Sequence, residues 1–402
     1  MKSRKSAAQV LIAVEVLALV VVVIFGVVQK GKATVQEEKT SQINSQVVSE
    51  SDNTQEEMEQ ETETQMQQVA PVVFSEQVNA KLSSMTLEEK VAQMFMITPE
   101  SLTGTDAVNV AGNATKEAIN TYPVGGLVYS KINFQGKEQT KKLLSKTQEY
   151  HTERMGVPMF LAVEEVGGKD HSPIATKDRY DVEKAPASIT DGEEAKKTAS
   201  DISKYLKETG ITMNILPFGT LSEEETSFGV DASNVSVLAS ESVATYKENK
   251  ITTAVGVFPG TATKSLAEWK ESDALVFKAT INAGNECMVV GNILYKDLTE
   301  SEATICSMSE NVVQYIRGDM GFDGILITDS LSQEVVTRNY SSKEAAVNAI
   351  NAGMNMLYCP QNFEEAYQGV IESVNNGDIK METIDQSVGR ILTAKMSAET
   401  QE

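Results

Sequence analysis

From residue 76 to near the C-terminus, short apolar runs alternate with longer stretches of mixed polarity. The runs are Gly126-Leu127-Val128-Tyr129, Met159-Phe160-Leu161-Ala162-Val163, Thr212-Met213-Asn214-Ile215-Leu216, Thr253-Ala254-Val255-Gly256-Val257, Cys287-Met288-Val289-Val290, Ile325-Leu326-Ile327 and Met354-Asn355-Met356-Leu357. They are continuous rather than alternating, as expected of strands buried on both faces of a parallel sheet. Between most of them lie helical stretches such as Glu138 to Met155, Glu193 to Gly210 and Glu310 to Met320. Strands alternating with helices predict βαβ units. Seven strand candidates fit a single (β/α)8-type TIM barrel better than a doubly wound sheet. Thr86, followed three residues later by Glu89, is a capping box that opens the folded region. No Gly-x-Gly-x-x-Gly motif supports a dinucleotide site.

One run carries chemistry. Phe322-Asp323-Gly324 supplies a turn, Ile325 to Ile327 the buried strand, and Asp329 follows at the strand's C-terminal end. In a parallel α/β barrel that end faces the active site, so a carboxylate there reads as catalytic. The competing reading is an aspartate that caps the next helix.

The N-terminal region has a different pattern. Lys2, Arg4 and Lys5 precede an apolar segment from about Val10 to Val28, interrupted by Glu15. Its length approaches the ~20 residues that span a bilayer, and the flanking cations place the short tip in the cytoplasm and the bulk of the chain outside. Residues 1–30 are therefore expected to be a tip and single-pass transmembrane helix, a cleaved signal peptide being the alternative. Residues 31–75 are rich in Glu, Gln, Ser and Thr and are expected to form a disordered acidic linker, since they cannot bury enough apolar surface to offset their ordering entropy. The barrel domain is assigned to residues 76–398. A net charge of −22 over 402 residues argues against nucleic acid as a partner, because phosphate binding needs a basic surface. Cys287, Cys306 and Cys359 show no metal spacing, and His151 and His171 are the only histidines, so neither a metal nor an organic cofactor is expected.

The order of several short motifs resembles the N-terminal barrel domain of glycoside hydrolase family 3, in particular single-domain bacterial β-N-acetylhexosaminidases. The matching pieces are Tyr122-Pro123-Val124-Gly125-Gly126-Leu127, Leu161 to Gly168, Ser227-Phe228-Gly229, Phe258-Pro259-Gly260, Gly321 to Ser332, Ala349 to Leu357, and Ile384 to Leu392. The resemblance implies that Asp329 is the nucleophile of a retaining hydrolysis of terminal β-linked N-acetylhexosamine. It also implies that the ligand is an N-acetylglucosamine-containing carbohydrate of cell-wall material.

The chain departs from the family pattern at the other site positions. Gly256 and Val257 stand where the pattern has a lysine–histidine pair, and no histidine follows Gly260, where the pattern has its general acid. The sugar-binding aspartate matches Glu164, a later histidine position holds Asn292, and the resemblance implies that Glu164, Glu165 and Asn292 contact the substrate, one of the two adjacent glutamates facing the mouth and the other the packing. His171 is the remaining candidate acid, its alternative being a loop histidine. Glu268 and Glu271 read as helix-surface charges. Trp269, the only tryptophan, stacks on a sugar or covers the core. Two functions fit this pattern: a membrane-anchored extracellular glycosidase, and a non-catalytic sugar- or protein-binding relative on the same barrel.

Overall fold

The computed structural model describes residues 72–168, 172–174 and 184–399. The expected anchor and nearly all of the expected linker lie outside the described residues, as does His171. Among the described residues no helix is long and apolar enough to cross a membrane.

Eight parallel strands form one sheet: β1 (Phe95–Ile97), β2 (Gly126–Tyr129), β3 (Phe160–Val163), β4 (Met213–Leu216), β5 (Thr252–Phe258), β6 (Cys287–Val290), β7 (Ile325–Thr328) and β8 (Leu357–Tyr358). Neighbours follow chain order from β1 to β7, with β8 beside β1. A parallel bridge between Ile327 and Met356 joins β7 to the start of β8 and closes the (β/α)8 barrel. All seven predicted runs supply strands. β8 begins later than its run suggested, after Asn355 and Met356 have bonded across to β7.

β1 had no separate signal in the sequence. The helix Leu87–Gln93, with the predicted Thr86–Glu89 capping box, stops two residues before β1. Its apolar stripe runs straight into Met94-Phe95-Met96-Ile97, so no change of period marks the boundary. The predicted helix from Glu310 to Met320 is helical to Gln314 and continues as a wider π-type turn from Tyr315 to Asp319.

The strands carry one continuous core. Every residue of β1, β2, β3, β4, β6 and β7 is buried, which is why their sequences are unbroken apolar runs. The helices Lys137–Met155, Gly192–Thr209, Ala232–Glu248, Ser342–Ala352 and Phe363–Asn376 cover the outside. What the topology fixes is direction. All eight C-terminal strand ends open at one mouth, and Glu164, Asp329 and Tyr358 stand there.

Candidate active site

Asp329 follows β7 directly. Its backbone N–H donates to the Val290 carbonyl at 2.8 Å, tying it to the end of β6. Its carboxylate is held at both oxygens: Oδ1 accepts from the Ser330 N–H at 2.7 Å and Oδ2 from the Gln333 amide at 2.8 Å. Asp329 caps no helix. The next helix, Glu334–Thr337, starts after Gln333 and has no side-chain cap.

Gln333 is itself oriented. Its Oε1 accepts from Asn292 Nδ2 at 3.0 Å, the same nitrogen donates to the Ser330 carbonyl at 2.8 Å, and Asn292 Oδ1 accepts from Ser307 Oγ at 2.6 Å. Both hydrogens of the Asn292 amide are thereby used, and the residue is only 5% exposed. Asn292 does not line the cavity as a sugar-binding group; it stands behind Gln333.

Asp329 opens into a cavity of about 490 Å³ whose wall comes from β3 to β8 and includes Glu164, Val166, Leu216, Val257, Val289 and Tyr358. This is the size expected of a small-molecule site. Most of the lining is apolar; Thr226, Gln333, Glu164, Asp329 and Tyr358 are its polar side chains, and among the described residues no cation lines it. Gly256 contributes bare backbone. A Cβ there would lie 2.7 Å from Val289 Cβ, so β5 and β6 approach too closely for any side chain. The position where the resemblance placed a lysine therefore offers no grip on a ligand.

The two glutamates after β3 diverge, as adjacent residues at a strand end do. Glu164 faces the mouth and accepts from the Tyr358 hydroxyl at 2.9 Å. Burial, and then the Glu164 charge, hold the Tyr358 hydroxyl well above its ordinary pKa, so it keeps its proton and donates. Glu165 turns inward and is fully buried, accepting from the Gly167 N–H at 2.9 Å and from Ser172 Oγ at 2.5 Å. Burial pushes its carboxyl up to about 7. Glu165 holds the loop after β3 and is not a ligand-facing residue.

Trp269 is also not in the cavity. It is fully buried, donates its indole N–H to the Pro259 carbonyl at 2.7 Å, and meets Phe258 edge-on at 5.5 Å. Of the two readings open for it, the core reading is the one observed. Glu268 completes a capping box with Ser265, and it and Glu271 are exposed on a helix surface away from the cavity. Among the described residues no cluster of His, Cys, Asp and Glu has the arrangement to hold a metal ion.

The barrel and this cavity can be set beside known proteins. The model of the glycosyl hydrolase family 3 N terminal domain matches residues 86–394. The chain belongs to glycosyl hydrolase family 3. Among relatives in sequence, a beta-N-acetylglucosaminidase/beta-glucosidase of Cellulomonas fimi is 22% identical over 349 residues, which cover 80% of this chain and 59% of that protein. Beta-hexosaminidase A of Pseudoalteromonas piscicida is 21% identical, covering 69% of this chain and 54% of that protein. This chain thus spans little more than half the length of the curated relatives it matches. A solved family 3 beta-N-acetylglucosaminidase from Paenibacillus sp. str. FPU-7 superposes with a TM-score of 0.72 at 23% identity, covering 79% of this chain and 64% of that one, a likeness of fold.

Within the family 3 barrel, the reading of Asp329 as a mouth carboxylate was available from the sequence. Gln333 and Tyr358 were not singled out. Tyr358 had the same signal as Asp329, a polar residue where a buried run ends, but the run was read as stopping at Leu357. Gln333 had none, because the link between Gln333 and Asp329 exists only once the turn from Asp329 to Ser332 folds back. An oriented carboxylate at the edge of this cavity can attack an electrophilic carbon, and beside it the Thr226 hydroxyl can donate a hydrogen bond to a ligand while the Tyr358 hydroxyl, donating to Glu164, can accept one.

Proposed function

We propose that the cavity binds a β-linked N-acetylhexosamine unit and that Asp329 is the nucleophile of a retaining hydrolysis. The observation that carries this is the Asp329 carboxylate itself, fixed at both oxygens at the barrel mouth and open to a sugar-sized cavity. In the first step a bond forms between an Asp329 oxygen and the anomeric carbon as the glycosidic C–O bond breaks. The leaving oxygen takes a proton, and water then opens the glycosyl ester. Gln333 keeps the carboxylate in one orientation, so little reorganisation is needed on attack.

In this reading the proton for the leaving group comes from a residue at the mouth beside Asp329. His171 is the sequence's candidate and lies outside the described residues. Without a positioned acid, hydrolysis loses roughly 10²–10⁴-fold on unactivated sugars, whereas an aryl leaving group departs with little protonation. The first test is therefore hydrolysis of an aryl β-N-acetylglucosaminide, with His171→Ala alongside. Turnover of the aryl substrate that Asp329→Asn abolishes supports the glycosidase. Absence of turnover in the wild type, with N-acetylglucosamine still bound, favours the second reading, a non-catalytic sugar-binding relative. The observation behind that second reading is the apolar wall at Val257 and Gly256.

We also propose that residues 10–28 hold the barrel to the outer face of the cell membrane, where cell-wall glycans supply the ligand. This rests on the apolar run and its flanking cations alone. Recovery of a mature chain lacking its first thirty residues from a soluble extracellular fraction would overturn it.

A further inference from the structure

The Asp329 cavity has two unlike halves. Glu164, Asp329, Gln333 and Tyr358, its charged and amide groups and its phenol, come from β8 and from the segments after β3 and β7. The half walled by the ends of β4, β5 and β6 is aliphatic, with Leu216 and Pro217, then Val257, then Val289. Among the described residues Thr226, on the loop after β4, is the polar side chain of that half.

The order of strands says which part of a sugar meets the aliphatic wall. β6 pairs with β7 and β5 with β6, so the wall begins directly beside Asp329. In the retaining reaction the anomeric carbon lies against Asp329, and the aglycone leaves from the opposite side of that carbon. Two ring atoms are bonded to it. The ring oxygen carries no substituent, and C2 carries the acylamino group. On the other side of Asp329, in β8, stands the Tyr358 hydroxyl, which suits a polar edge. The C3, C4 and C6 hydroxyls, laid against the wall, would lose hydrogen bonds to water and find no side chain to replace them. The acetamido methyl is the one methyl of an N-acetylhexosamine and the group that gains from apolar contact.

The wall is wider than a methyl needs. It crosses three strands, about 10 Å at the usual strand spacing, whereas a methyl covers only about 4 Å. We propose that this wall recognises the N-acyl chain at C2 and accommodates chains longer than acetyl. Val257 stands at its centre and sets the preference, and Thr226 at its edge can donate a hydrogen bond to the amide carbonyl. This inference rests on the sugar-binding reading of the Asp329 cavity and deepens it. The ligand class becomes β-linked hexosamines with an extended N-acyl group.

The test uses three probes with one non-cleavable aglycone, so that any gain comes from the acyl chain. They are phenyl 1-thio-β-glucosaminides carrying an N-acetyl, an N-propionyl or an N-butyryl group. Calorimetry with the purified full chain should show binding tightened about fourfold by each buried methylene, so about fifteenfold from acetyl to butyryl. Val257→Thr exchanges a methyl for a hydroxyl on a half-buried residue. It should remove most of that gain, with an unchanged unfolding midpoint. Flat or falling affinity along the wild-type series overturns the proposal without any variant, as does a gain that survives Val257→Thr in full. Binding of the N-acetyl probe without a gain leaves the reading of the Asp329 cavity standing, whereas binding of none of the three removes both.

Discussion

At the foot of the barrel, Lys395, Gln93 and His151 bond only to one another and to backbone. At the mouth, the chain of bonds from Ser307 through Asn292 and Gln333 ends on a carboxylate that faces a cavity. The foot cluster is closed. Lys395 Nζ donates to Gln93 Oε1 at 2.7 Å, Gln93 Nε2 donates to the Pro123 carbonyl at 2.7 Å, and His151 Nδ1 meets the Val157 carbonyl at 2.9 Å. Packing is tight enough there that a Cβ on Gly125 would lie 1.9 Å from the Gln93 carbonyl oxygen. Both clusters are buried polar networks, yet one can only support the fold while the other presents an acceptor to a ligand. The difference lies in where the network stops, which agrees with the general division of such barrels into a stabilising foot and a functional mouth.

The most severe test of this contrast is Asp329→Asn. Turnover of an aryl β-N-acetylglucosaminide should fall at least about 10³-fold, since the amide cannot form the glycosyl ester, while the urea midpoint stays put. A retained rate would remove the nucleophile from the mouth and with it the contrast.

The two ends should also respond to pH with opposite sign. Glu165, behind the mouth, has its carboxyl raised by burial from 4.5 to about 7. The folded chain therefore holds a proton that the unfolded chain has lost. Stability is full below about pH 4.5 and declines as pH rises to about 7, by on the order of 3 kcal/mol. Glu165→Gln should flatten that slope in denaturant titrations.

Lys395 at the foot behaves inversely. Burial pushes its amine down from 10.5 to about 7, so stability is full above about pH 10 and declines as pH falls to about 7. Lys395→Met should be more stable than wild type by about 2 kcal/mol at pH 6. It should be less stable by about 1–3 kcal/mol above pH 10, where only the lost partner of Gln93 counts. Absence of that sign change would show that the amine is not desolvated as its surroundings imply.

The mildest test sharpens the mouth alone. Gln333→Leu removes the donor to Asp329 Oδ2 and should lower turnover about tenfold, and Asn292→Ala, acting through Gln333, by less. Equal losses would mean that Asn292 touches the ligand after all.

Most of the barrel was legible because its strands are buried on both faces, which leaves unbroken apolar runs that few other structures produce. β1 was hidden by the same property, since the helix before it ends in residues as apolar as the strand. Of the site, Asp329 was readable from a rule about strand ends. The partners that give it an orientation were not, because Asn292, Ser307 and Gln333 are far apart in the sequence and meet only when the barrel closes. Glu164 and Glu165 could be separated only as a pair, one in and one out, and the choice fell to the turn that Glu165 holds through Gly167 and Ser172.

The joint between β7 and β8 has a consequence of its own. Along most of the sheet, peptide groups pair with peptide groups, and those bonds form whatever the side chains are. At this joint the backbone pairing is supplemented by side chains. Asn355 Oδ1 accepts from the Leu326 N–H at 2.9 Å and from Arg317 at 2.8 Å, and Thr328 Oγ1 accepts from the Tyr358 N–H at 3.0 Å. The closure of the ring is thus partly written in the genetic code at positions 328 and 355. A single base change can loosen it, which cannot be said of a joint held by main chain alone. Since Asp329 and Tyr358 sit on either side of that joint, inheritance of the fold and inheritance of the cavity's shape are not independent in this protein.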